Sequence, residues 1–180
     1  GMTNLGHDKD FAARVFNQIK GFGEYGFPES HAARFALLVY LSAWLKCHEP
    51  SAFYCGLLNS LPMGFYSHSQ LIQDARRHQI TIKSIDVQHS QWDHALEGKN
   101  LKPNVHPPIR LGMRLIKGLD KASGLRIEKA VKEKPFASID ELEIRAGIND
   151  QNMRFLARAG ALKSLSGNRH QAHWDVAGIT

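Results

Sequence analysis

A chain of 180 residues with 43% hydrophobic content is long enough for one ample core or two small ones, without staples. No window approaches the roughly 18–20 uninterrupted apolar residues of a membrane span, and the first residues lack the order of a signal peptide, so a cytoplasmic protein without a membrane partner is expected. The formal charge of +6 favours a polyanionic partner, and its distribution is uneven: residues 1–60 balance, whereas residues 111–180 carry twelve basic against eight acidic side chains. Cys47 and Cys55 lie eight apart, without metal-ligand spacing, and read as reduced core residues. Gly1 ahead of Met2 reads as the remnant of a removed tag, and two readings of Met2 are open: a true start, or an arbitrary boundary within a longer protein.

Phe11, Val15, Phe16 and Ile19 recur at helical spacing, which predicts an amphipathic helix ending at Gly21. The loop Gly21–Pro28 holds three glycines and three aromatic rings. Ser30 reads as the N-cap of a helix to about His48, apolar on nearly every side and therefore expected at the centre of the core. Pro50 suits the first turn of a helix through Phe53, Tyr54, Leu57 and Leu58, which Leu61-Pro62 ends. Ser67 or Ser69 caps a further helix to about Arg77. The alternation of Ile80, Ile82 and Ile85 predicts a short strand, and a second is expected within Trp92–Leu96. The stretch Glu97–Pro108, with three prolines, reads as a domain boundary, and Ile109–Ile116 as a strand or extended lead-in. The rest is expected to be helical. The fold class is therefore mainly α (α+β), with a few short strands.

Leu115-Ile116-Lys117-Gly118-Leu119-Asp120-Lys121-Ala122, followed by Leu125, Ile127, Ala130 and Val131, resembles the helix-hairpin-helix pattern. In that pattern a tight glycine turn offers main-chain N–H groups to a phosphate at the start of the following helix, where the dipole also favours an anion. The candidate backbone contacts are Lys117, Gly118, Leu119 and Lys121. Asp120 stands where the pattern has a second glycine, and two readings are open: a carboxylate facing the phosphate, or the N-cap of the next helix. A second copy follows, with Ser138 capping Ile139–Ala146, a turn at Gly147, Ile148 and Asn149, and a helix opened by Asp150. Two such units in tandem, spanning residues 111–165, would straddle a duplex without reading its sequence. A helical packing domain that touches no DNA is the other reading.

The segment from Gly21-Phe22-Gly23-Glu24-Tyr25-Gly26-Phe27-Pro28 to Glu29-Ser30-His31-Ala32, with Phe35–Tyr40 and Ala43–Lys46, resembles the fingers region of bacterial C-family DNA polymerases, the DNA polymerase III alpha subunits. Leu58-Asn59-Ser60, Pro62-Met63-Gly64-Phe65-Tyr66, Asp74-Ala75-Arg76-Arg77-His78 and Asp86-Val87 continue the resemblance in order. Phe27–His31 together with Pro62–Tyr66 is similar to the error-prone, damage-tolerant branch. The resemblance implies that residues 1–108 are the C-terminal part of the fingers and residues 109–180 the tandem hairpin domain. It implies a primer-template duplex, an incoming deoxynucleoside triphosphate and the rest of the polymerase chain as partners. Tyr25, Ser30 and His31 would face the nucleotide, and a tyrosine ring stacks on any base without reading it. His31 has an alternative role at the start of its own helix. The catalytic carboxylates and their Mg2+ would lie on a palm domain outside this chain, leaving no catalytic residue and no cofactor here.

His68, His78, His89 and His94 lie close in sequence, but no Cys or paired carboxylate completes a tetrahedral set, so no metal is expected. Gly21–Gly26 lacks the Lys-Ser/Thr ending of a phosphate-binding loop. A free-standing hairpin module, binding DNA or serving as a scaffold without catalysis, is the alternative to a polymerase fragment.

Overall fold

A computed structural model describes residues 6, 8–24, 29–98 and 105–166. The chain divides into two compact units, residues 1–44 and 45–180. The first contains α1 (Lys9–Glu24) and most of α2 (Glu29–His48). Helix α1 continues three residues beyond Gly21, the predicted stop. Helix α2 begins at Glu29, which puts Ser30 in the first turn instead of at the cap. The expectation that α2 is the central buried helix is overturned: Phe35, Leu38, Val39 and Tyr40 are all more than half exposed. All-round apolarity states that a helix favours burial, not what buries it. Among the described residues no helix is long and apolar enough to cross a membrane.

In the second unit, α3 (Pro50–Asn59) carries Pro50 at its first position, as its missing N–H requires. Helix α4 (His68–Arg77) is capped by Ser67, whose hydroxyl accepts the Gln70 N–H while the Gln70 side chain accepts the Ser67 N–H. Past its C-cap His78, Gln79 takes a φ of +62° and the Ile80 N–H turns back to the Ala75 carbonyl at 3.1 Å. Tyr54 of α3 is buried, and its hydroxyl donates to Asp74 of α4 at 2.5 Å. Lys46 reaches the same carboxylate at 3.2 Å. The Tyr54 bond, then Lys46, holds Asp74 below the ordinary carboxylate range. Leu58, Leu61, Leu71, Ala75 and Ile109 form the apolar core of this half.

The strands are shorter than the alternation predicted. Strand β1 is Ile82–Lys83, β2 is Ala95–Leu96 and β3 is Ile109–Arg110, with β3 in the middle, parallel to β1 and antiparallel to β2. Ile80 and Ile85 fall outside β1 because pairing with β3 spans two residues, so alternation beyond them finds no ladder. The segment expected as a domain boundary joins β2 to β3. Its first residue, Glu97, accepts from Lys83 at 2.6 Å and from Arg110.

After β3 the lead-in becomes a 3-10 turn, Met113–Leu115, followed by α5 (Lys121–Glu133), α6 (Ile139–Ala146), α7 (Asp150–Arg158) and α8 (Lys163–Ser166). Met113, Ile127, Leu142, Met153, Leu156 and Leu162 make a second core, which also takes in Val87. Trp92 lies so close to Gly124 of α5 that a Cβ there would meet its ring at 2.3 Å. Gln88 exchanges hydrogen bonds of 2.6 and 2.9 Å with the Phe136 main chain. The hairpin module therefore packs on residues 85–92 and extends further toward the N-terminus than residues 111–165. Cys55 is buried, its thiol donating to the His94 carbonyl at 3.4 Å, whereas Cys47 is exposed, contrary to its assignment to the core.

Gln79 holds a left-handed conformation that costs an L side chain about 1–2 kcal/mol. Gln79→Gly removes that cost and adds about 0.5–1 kcal/mol of chain entropy. A small net rise in the urea midpoint at unchanged m-value is expected, and a fall would show that the Gln79 side chain contributes more than its backbone strain.

Candidate nucleic-acid interface

The two hairpins are copies at a spacing of twenty-nine residues. Gly118 and Gly147 both have positive φ, +94° and +58°. Leu119 and Ile148 follow, both buried. Asp120 and Asn149 then cap α5 and α7, accepting the N–H groups of Ser123 at 2.8 Å and Asn152 at 2.9 Å. Ser123 and Asn152 are themselves buried, and the Asn152 amide donates to the Ser123 hydroxyl at 2.8 Å and to Asp120 at 3.0 Å. The two repeats thus meet through equivalent polar residues inside an apolar core.

Of the two readings of Asp120, the geometry supports the cap. Its carboxylate accepts from the Ser123 hydroxyl at 2.7 Å, the Ser123 N–H and the Asn152 amide, which in that order lower its pKa from 3.8 to about 2. Those bonds turn it toward α7 instead of outward to a phosphate. Around the first turn the N–H groups of Gly118, Lys121 and Ala122 meet no acceptor among the described residues. Lys117 and Lys121 are exposed and form no ion pair there. Gly118 is required on steric grounds as well: a Cβ would lie 2.6 Å from the Phe155 ring of α7. Leu119 is buried, so it contributes packing and not a contact by its side chain.

The second turn is built as predicted but is chemically different. Ser138 caps α6, its hydroxyl accepting from Glu141 at 3.1 Å. Gly147 ends α6 in the left-handed region, and its N–H and that of Ile148 both return to the Glu143 carbonyl. Asn149 is a cap and Ile148 is buried. Arg126 closes the turn from α5, donating to the carbonyls of Ala146 at 2.9 Å and Gly147 at 3.2 Å.

An open groove of about 600 Å³ lies beside the first turn, lined by Lys117, Gly118, Phe155 and Arg158 among others, with no carboxylate. Arg158 was not singled out from sequence, because a basic residue in the last turn of a helix ordinarily signals only a favourable dipole. Of the nucleotide-facing candidates, Tyr25 and the side chain of Ser30 lie outside the described residues. His31 is exposed on the first turn of α2, its ring edge-on to Phe35 at 4.5 Å. The clustered histidines separate: His78 meets Tyr54 and Asp74, His89 meets Asp86, and His68 approaches His94 at 6.2 Å. His94 is buried, accepts the Gly112 N–H at 3.1 Å, and is held by burial at a pKa of about 4.

Because the folded Asp120 titrates below its unfolded value, its contribution is complete above about pH 4 and lost as the pH falls toward 2. Asp120→Asn should flatten the decline of the urea midpoint across that window. Parallel acid limbs for the two proteins would contradict the cap's electrostatic role.

A family described as the helix-hairpin-helix motif matches residues 79–172, just over half of the chain. Its start agrees with the packing of residues 85–92 on the hairpin core. Error-prone DNA polymerases are similar over 99% of this chain: that of Pseudomonas syringae pv. tomato at 54% identity over 185 residues, and that of Teredinibacter turnerae at 55% over 181. Another, from Azoarcus sp., is 54% identical over 181 residues. The chain spans only 17–18% of the length of these curated relatives. With its paired glycine turns, matching caps and shared core, the chain belongs to the helix-hairpin-helix motif family, and nearly all of it is homologous to one stretch of the error-prone DNA polymerases.

Proposed function

We propose that these residues are part of an error-prone DNA polymerase, in which the hairpin module holds primer-template DNA by its backbone while damaged template is copied. The observation that carries this reading is the first turn, where the unoccupied Gly118 N–H and the unpaired Lys117 line one groove without a carboxylate. Such a surface suits phosphate and carries no base-edge readout. In this reading residues 1–108 serve as fingers and residues 109–180 as the DNA-holding domain, within a cytoplasmic enzyme. The exposed apolar surface of α2 would be covered by the rest of the polymerase chain. Mg2+ would be held by palm carboxylates elsewhere in that chain. In this reading the palm domain supplies the catalytic carboxylates, and these residues alone should show no nucleotidyl transfer.

Tyr25 would stack on the nascent base pair, while Ser30 and His31, on the first turn of α2, would meet the triphosphate, aided by the helix N-terminus.

Backbone contacts release counterions, so affinity for duplex DNA should fall steeply with salt and vary little with sequence. In fluorescence anisotropy, Lys117→Ala and Lys121→Ala should each weaken binding uniformly across sequences and reduce the salt slope by about one. Absence of binding at low salt would leave the packing-domain reading standing. In the full-length polymerase, Tyr25→Ala should lower incorporation efficiency by about tenfold, as expected for a lost base stack, and Tyr25→Phe should restore it. Unchanged single-turnover rates in Tyr25→Ala would remove the residue from the nucleotide site.

A further inference from the structure

The tandem arrangement suggests that both hairpins grip DNA, yet the structure equips them unequally. The first turn keeps the N–H groups of Gly118, Lys121 and Ala122 unoccupied, and its one carboxylate, Asp120, is engaged by Ser123 and Asn152. In the second, the N–H groups of Asp150 and Gln151 are open like those of Lys121 and Ala122, but Gly147, unlike Gly118, has its N–H committed to Glu143, and the helix opens with Asp150, a charge that repels phosphate. Two cations near that turn, Arg126 and Arg145, are committed to main-chain carbonyls. Arg126 binds the carbonyls of Ala146 and Gly147 and the Ser123 hydroxyl, and Arg145 binds those of Ala130 and Lys134 together with Glu141.

The second repeat instead supplies something to the first. Arg158, the last residue of α7, is exposed, has no ion pair among the described residues and lines the groove with Lys117, Gly118 and Phe155. Phe155 lies against the Gly118 backbone, where any Cβ would collide with it. The groove thus has a cation from each repeat, an apolar aromatic floor and an unoccupied N–H from Gly118.

We propose that Lys117, the Gly118 main chain and Arg158 form one phosphate clamp shared between the repeats, and that the second hairpin is a packing half that does not touch the DNA backbone. This deepens the DNA-holding reading and rests on it. The module holds one strand at one place instead of straddling the duplex. Arg158 is the residue suited to this task, since a guanidinium presents two parallel N–H donors to a phosphate where an ammonium acts as a point charge.

The test is anisotropy of the whole chain with a fluorescent duplex across a salt series. Arg158→Ala should weaken binding roughly tenfold, as for a lost hydrogen bond to a charged group, and lower the salt slope by about one. Arg158→Lys should recover the slope but only part of the affinity. Asp150→Asn and Asn149→Ser, on the second turn, should stay within twofold of the parent. Circular dichroism and urea midpoints confirm that each variant folds. If the parent chain binds no duplex, the DNA-holding reading falls and the clamp with it. If the parent binds but Arg158→Ala matches it, or Asp150→Asn binds severalfold tighter, the clamp alone is overturned and the second hairpin is at the backbone.

Discussion

The hydrogen bond between Asn152 and Ser123 is the constraint around which the hairpin domain is arranged. Both groups are buried, so an unmade bond would leave polar atoms stranded in an apolar core, and the two helices must begin where their third residues meet. That requirement places the caps Asp120 and Asn149, and the caps in turn place the glycine turns that precede them. The apolar residues Ile127, Met153, Leu156 and Leu162 supply the burial, but they would tolerate small slippage that a directional bond between buried groups does not.

Approximate twofold resemblance between repeats does not imply equal chemistry. Asp120 stays ionised, but its carboxylate is bonded to Ser123 and Asn152 and so is turned toward α7. The same capping position in the second turn is a neutral Asn149, but Asp150 follows it at the first helical position. The two turns therefore differ in where one carboxylate sits, at the cap in the first and one residue further on in the second.

Local features were the most legible in the sequence. Ser67, Ser138 and the Pro50 start are decided within four residues of chain, and the structure places all three as caps or first-turn residues. The hairpin repeat was legible for the same reason. The cap role of Asp120 was legible as one of two readings, but the choice between them depends on Asn152 thirty-two residues away, and the place of Arg158 depends on a groove it shares with Lys117. The strand lengths depended on β3, which reaches the sheet only after the long connection from β2. The exposure of α2 was illegible in a different way, since apolarity records a need for cover and not its source. Similarity to known polymerases reached what periodicity did not, namely the class of molecule in which such turns are used.

Arg114 sits in the 3-10 turn just before Lys117, and its guanidinium donates to the carbonyls of Asn59 at 2.9 Å and Leu61 at 3.2 Å while also meeting Asp93. Those carbonyls terminate α3 and begin the turn that carries the exposed rings of Phe65 and Tyr66. The first hairpin is consequently braced against the helical half of its unit and does not hang from a linker. If a strand is held at Lys117 as proposed, tension on it would pass within a few residues into α3, and the Arg114 brace would fix the angle of that strand.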